Sequence, residues 1–291
     1  MDWVDAVVQG IMLGGLYALF ATGLSLIFGV MRLVNLAHGD LSILAAFLAI
    51  VVVKVWGINP LLTLVVIIPL MFFFGYMLQR LILNQLLGRG LLPPLLVTFG
   101  FSIIIQNLLL EIFSADSRRL NPGGIETASM ALGGGLAVGW FSLITFLVAV
   151  LILVGLQFFI SRTALGRAFR ATSDDQETAE LMGIDNLHVY ALAMAVSLGI
   201  VAVAGIFLGV RTTFTFSSGP DRLLFAFEAV IIGGMGSLWG TLVGGVTLGV
   251  AQTIGAKFSP AWGILTGHLV FLAVLLLRPS GLFSKATRDA S

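Results

Sequence analysis

Cysteine is absent from the 291 residues, and with it every disulfide, thiolate nucleophile and cysteine-ligated metal site. Charge is scarce as well. Charged residues make up 10% of the chain, against roughly 25% in soluble proteins. The formal net charge of +1 points to no partner, and there is no basic patch with interleaved aromatics of the kind that binds nucleic acid. The dipeptide Gly-Lys never occurs, so the chain has no P-loop of its own for ATP. H-E-x-x-H and G-x-S-x-G are missing too, and the glycines from Gly234 to Gly240 do not fit G-x-G-x-x-G. Catalysis, metal binding and cofactor binding therefore have no sequence support. A cleavable signal peptide is not expected: the first apolar run starts directly after Asp2 and Asp5, without a basic leader or an A-x-A exit.

Apolar length fills the chain instead. Hydrophobic residues reach 58% and the mean hydropathy is +1.08. Runs of about 20 apolar residues recur, the length that crosses a bilayer as a helix. The expected fold is all-α, a polytopic transmembrane helix bundle of about eight spans in one domain over 1–291. Spans are expected near 7–28, 41–55, 61–79, 95–112, 140–160, 189–210 and 262–277. The stretch 223–256 is too long for one span and too rich in glycine to be regular, so it reads as a broken helix or a helix–turn–helix pair. Longer polar connections fall at 114–139 and 161–186. With the second of these in the cytoplasm, Arg32, Arg80, Arg89, Arg162, Arg167, Arg170, Lys285 and Arg288 lie inside and the N-terminus outside. Arg118 and Arg119 then fall outside, against the usual bias.

The island at 161–186 organises the reading. It holds Arg162, Arg167, Arg170, Asp174, Asp175, Glu177, Glu180 and Asp185 between two long apolar runs. Ser173 and Gln176 have capping-box spacing. Asp174, Asp175 and Glu177 would then lie in a first turn, where the helix dipole favours negative charge. Leu181 and Met182 form an apolar patch, and Gly183 is placed to stop the helix. A passive connector needs none of this, so the island reads as a docking element on one membrane face.

Three other features stand out. Asn35 and His38, in the stretch Asn35 to Asp40, either cap a span end or line a pathway. Glu228 is a carboxylate within an apolar segment, which is costly and usually directed at a cavity or partner. It either pairs with Arg222 or Arg211, or serves transport directly. The glycines Gly233, Gly234, Gly236 and Gly240, with Ser237 among them, give either close helix packing or an unwound segment facing a substrate.

Taken together, these residues resemble LivH-type permeases. The carriers are Tyr17-Ala18-Leu19, Ile27 to Val30, NLAHG at 35–39, GRAFRA at 166–171, AELMGI at 179–184 and AVIIGGMGSLWGTLVGG at 229–245, in the family's order along the whole chain. The resemblance implies a transmembrane subunit of a bacterial ABC importer for branched-chain amino acids, multi-pass in the inner membrane. It implies a second homologous permease, two cytoplasmic ATPases that bind the ATP, and a periplasmic binding protein. It makes the island, through Gly166, Arg167, Arg170, Asp174, Asp175, Glu177, Leu181, Met182 and Gly183, the coupling helix on an ATPase. Relatives carrying urea or short amides share NLAHG. A proton-coupled secondary transporter built on Glu228 is the rival from another class.

Overall fold

The structure is a computed structural model that describes residues 2–88, 90, 92–133 and 136–283. Arg89, Lys285 and Arg288, which the topology count places inside, lie outside the described residues, as do Gly134 and Gly135. Among the described residues the chain forms α1 (Asp2–Met31), α2 (His38–Trp56), α3 (Leu64–Leu81), α4 (Leu92–Phe113), α5 (Trp140–Arg162), α6 (Ala164–Asp174), α7 (Gln176–Leu181), α8 (Asn186–Arg211), α9 (Gly219–Gly233), α10 (Leu238–Phe258) and α11 (Trp262–Leu277). Seven of these are long and apolar enough to cross a membrane. The connection 114–139, read from sequence as a loop, also carries an antiparallel hairpin of β1 (Ser129–Gly133) and β2 (Leu136–Gly139), with Met130 opposite Val138.

Burial sorts the helices. The most apolar window of α8 is 89% buried and that of α1 is 78% buried, against 22% for α4 and for α5. A helix apolar on every side belongs inside a bundle, and α1 and α8 form its axis. The outer helices expose leucine, isoleucine and phenylalanine, such as Leu96, Ile104, Leu151 and Phe158, as a lipid-facing surface does.

α1 packs most extensively on α10, and glycine makes this contact possible. A Cβ on Gly14 would come within 2.5 Å of the Val246 Cα, and one on Gly245 within 2.7 Å of the Gly14 carbonyl. In a bilayer there is no hydrophobic gain from bringing two apolar helices together, so close backbone approach carries the association. The glycine-rich stretch resolves into two helices. α9 ends at Gly233, Gly234 and Gly236 take φ of 100° and 80°, and Ser237 caps α10 by accepting from the Gly240 amide at 3.1 Å. The two helices then fold back so tightly that Gly233 and Gly240 meet backbone to backbone.

The ends of the bundle are distinct. On one side Gln9 at the start of α1 donates to the Ala137 carbonyl of the hairpin, and Arg118 pairs by backbone with Phe214. On the opposite side lie the end of α1, the island, and the turn between α9 and α10. α9 is 15 residues long, so it spans only about 22 Å. It starts inside the bundle, where Gly219 is pressed against Gly39 and Asp40.

Helix propensity alone favours leucine over glycine by about 0.8 kcal/mol. Gly240→Leu is nonetheless expected to lower the thermal stability of the purified protein, because a Cβ there overlaps the Gly233 carbonyl. Gly155→Leu, where the added atoms meet open space, is the control and should not lower stability. Equal melting temperatures for the two variants would contradict the contact.

Candidate functional site

The island is two helices, where the sequence indicated one. Thr163 caps α6 by accepting from the Gly166 amide at 3.0 Å. Gly166, Phe169 and Thr172 recur along one face of α6 and are buried, while Arg167, Arg170 and Asp174 stay exposed. Phe169 sits edge-on to Phe159 at 6.0 Å and joins Leu26, Val30 and Tyr190 in a small apolar cluster. Thr172 donates to Asn186 at 2.9 Å, and Ser173 donates to the Gly29 carbonyl at 2.5 Å. The expected capping box is therefore not formed, because the Ser173 hydroxyl is spent on the last turns of α1. Asp174 closes α6, and Asp175 is the N-cap of α7 rather than a first-turn residue. Asp175 accepts from the Glu177 and Thr178 amides and from the Thr178 hydroxyl, at 2.6 Å for the hydroxyl. The Thr178 hydroxyl, then these amides, hold its carboxyl below the usual carboxylate range, so the cap stays charged.

α7 ends in a left-handed Gly183 with φ of 85°, and the Ile184 amide reaches back to the Ala179 carbonyl at 3.1 Å. That geometry leaves Leu181 83% exposed and Met182 79% exposed. Only Ala179 of α7 is buried. Leu181 and Met182 therefore do not cover the ends of the spans. The island is thus a rigid stub, anchored by Phe169, Thr172 and Ser173, that holds two large apolar side chains away from the bundle.

Behind the stub is a cavity of about 510 Å³, walled by Arg32, Arg170 and Ser173 on one side and by Gly236, Ser237 and Trp239 on the other. The island and the turn between α9 and α10 are thereby opposite walls of one space.

Asn35 and His38 are fully buried. Asn35 accepts from the Ala37 amide at 3.0 Å and donates toward the Met194 sulfur at 3.9 Å. His38 Nε2 donates to the Phe20 carbonyl at 2.9 Å, which places α2 well inside the end of α1. Asp40, not singled out from sequence, accepts from Ser102 at 2.5 Å and Gln106 at 3.0 Å, both on α4. This stretch binds α1, α4, α8 and α9 to the start of α2.

Glu228 does not pair with Arg222 or Arg211. Its Oε1 shares a short hydrogen bond with His268 Nδ1 of α11, and its other oxygen is buried without a partner. His268 stacks on Phe225 at 6.1 Å, and Phe225 lies against Tyr17 at 5.1 Å. The Tyr17 hydroxyl donates to Gln252 at 2.5 Å. Sequence reasoning missed His268, since a lone histidine in the last span gives no local signal of its partner 40 residues earlier. A carboxylate in hydrocarbon costs about 2.5–3.5 kcal/mol, which this bond offsets. Glu228→Gln keeps size and hydrogen-bonding capacity, so the variant is expected to retain most transport in assembled protein. Uptake abolished at every pH in a correctly assembled variant would instead make Glu228 a proton carrier.

The matching family model covers residues 6–277 and is described as the permease component of branched-chain amino acid transport systems. The chain is 31% identical to the high-affinity branched-chain amino acid transport system permease protein BraD of Pseudomonas aeruginosa, over 97% of this chain and 96% of that one. It is 27% identical to the LivH protein of Escherichia coli, over 95% and 94%, and 25% identical to the LivM protein of that organism, over 92% and 67%. Among solved structures it is similar to PsaBC from Streptococcus pneumoniae in complex with Fab, with a TM-score of 0.52 and 14% identity over 96% of each chain, a likeness of fold. The chain belongs to the family of branched-chain amino acid transport permease components.

Proposed function

We propose that this chain is a permease subunit of an ATP-driven importer and passes branched-chain amino acids across the bacterial inner membrane by alternating access. It would work with a second homologous permease, two cytoplasmic ATPases and a periplasmic binding protein. Family membership supports the substrate class, and relatives of both LivH and LivM type support a pairing of two related permeases.

The observation that carries the mechanism is the exposure of Leu181 and Met182 on a helix capped at both ends. Two large apolar side chains held rigidly in water are a binding surface in waiting, since burying each is worth about 1.5–3 kcal/mol. A few such anchors usually dominate an interface. Arg167, Arg170, Glu177 and Glu180 around them would orient the dock, because exposed pairs are worth about 0–1 kcal/mol. Closure of the ATPases would push α7, and α6 would carry the movement to α1 through Ser173 and to the turn at Gly236 across the shared cavity. ATP would be bound by the partner subunits, with no cofactor in this chain.

The double variant Leu181→Asp, Met182→Asp is expected to insert normally, because neither side chain contacts the bundle core, and to release the ATPases or leave them uncoupled. Co-purification of the ATPase subunits and substrate uptake, measured in parallel, check this. Full retention of both would remove these residues from the coupling contact.

A further inference from the structure

The cavity behind the island is bordered by two helices with lipid-facing stripes. On α5 the exposed side chains Leu147, Leu151, Val154 and Phe158 recur at helical spacing, and on α10 Trp239 and Val243 do the same. The stripes reach the cavity at Gln157 and at Trp239, which both line it. Deeper in the bundle Leu242 of α10 joins the apolar cluster of Leu153 and Leu156 of α5, so the opening is a notch at the island end of these helices. Gln157 comes five residues before the end of α5 at Arg162, about 7.5 Å along the helix axis. The headgroup layer on each side of a bilayer is about 5–7 Å thick, so the notch lies at headgroup depth.

Two arginines line this notch. Arg32 directly follows α1 in a left-handed conformation, with φ of 50°, at a position helices usually give to glycine or asparagine. Arg170 stands on the exposed side of α6. Among the described residues neither has a carboxylate within ion-pair distance, whereas Arg80 and Arg118 each have one, Asp185 and Asp116. Asp174 is the one carboxylate among the described lining residues, so the lining carries one positive charge in excess. A singly charged anion is its complement, and guanidinium groups take phosphate oxygens in two-point geometry. Basic pockets between membrane helices hold anionic headgroups in this way, and a tryptophan such as Trp239 favours the same level of the bilayer. The exposed stripes decide between a soluble anion and a lipid. A chain leaving the notch past Gln157 and Trp239 meets Phe158 and Val243, a surface that suits acyl carbon and nothing polar.

We propose that this notch binds the headgroup of an anionic phospholipid from the island-side leaflet, its phosphodiester held by Arg32 and Arg170 and its acyl chains lying over the exposed stripes of α5 and α10. The headgroup fills the space between the island and the turn at Gly236, and adds a link from α6 to α1 beside the Ser173 bond. The proposal goes beyond the importer reading and does not depend on it, because lipid retention is measured on the assembled protein whatever that protein carries.

The test uses the full chain in its detergent-purified complex and counts bound lipid by native mass spectrometry. Phosphatidylglycerol is the probe and phosphatidylethanolamine the zwitterionic comparison. The unmodified complex is expected to retain phosphatidylglycerol over phosphatidylethanolamine by roughly tenfold, and the double variant Arg32→Gln, Arg170→Gln to bring the two lipids within about twofold. Gln157→Leu suits a lipid-facing helix, so it is expected to assemble, and it should reduce the preference by about half. Equal retention of the two lipids by the unmodified complex would overturn the proposal. So would an unchanged preference in the double variant or, where that variant does not assemble, in Gln157→Leu. Displacement of phosphatidylglycerol by a large excess of inorganic phosphate or of leucine, at an ionic strength matched with chloride, would assign the notch to small soluble anions and overturn it likewise.

Discussion

Everything in this bundle hangs on two helices whose backbones touch. Without a hydrophobic driving force inside lipid, α1 and α10 hold together only as far as their main chains interlock. Gly10 and Gly14 on one helix and Gly245 and Gly249 on the other supply a seam with no side chains. Because α1 also packs on α5, α8 and α9, the seam fixes the position of the axis for all of them. The contact repeats on the other side of α10, where Gly233 and Gly240 bring α9 back against it.

Polar groups complete the interior where glycine leaves off. His38, Asp40, Asn35 and Glu228 are all buried within apolar surroundings, and each is tied to a different helix by a hydrogen bond. A buried polar group left unpaired costs about 1–3 kcal/mol, so such bonds lock register more than they add net stability. The result is a stiff centre between two working faces. On the island side α6 is riveted to α1 by Ser173 and to α8 through Thr172 and Asn186. On the hairpin side α8 ends at Arg211, and Phe214 pairs by backbone with Arg118. α1 and α8 thus join the island to the hairpin side of the bundle.

Much of this was legible in the sequence because membrane physics writes long words. Each span announces itself by about 20 apolar residues; most observed helices extend the expected spans by a few residues, α11 coincides with its expected span, and α3 starts at Leu64 rather than at 61. The exposure of Leu181 and Met182 and the stop at Gly183 follow from local pattern alone. What the sequence hid depends on partners distant in the chain. Ser173 fits a capping box as well as Asp175 fits a cap, and only the nearness of Gly29 decides between them. α6 was missed because its buried face is a glycine, a phenylalanine and a threonine spaced three apart, too short a signal among charges. For Glu228 the sequence offered only Arg222 and Arg211 as pairing partners, because sequence distance stood in for spatial distance, and His268 went unseen. The β-hairpin pairs Ser129 with Gly139 and Ala131 with Ala137, residues of weak strand propensity, around the single pair of Met130 and Val138.

The glycine seam between α1 and α10 holds the island in place as well as the bundle, because Ser173 ties α6 to the end of α1. Amide hydrogen exchange in the membrane-reconstituted protein tests it most directly, comparing Gly14→Ala with Gly100→Ala, since an added methyl at Gly14 meets the Val246 backbone and one at Gly100 meets open space. Gly14→Ala is expected to speed exchange along α1 and α10 and also in α6, through the Ser173 bond to Gly29, while Gly100→Ala changes none of them. Unchanged protection of all three helices in Gly14→Ala would contradict it.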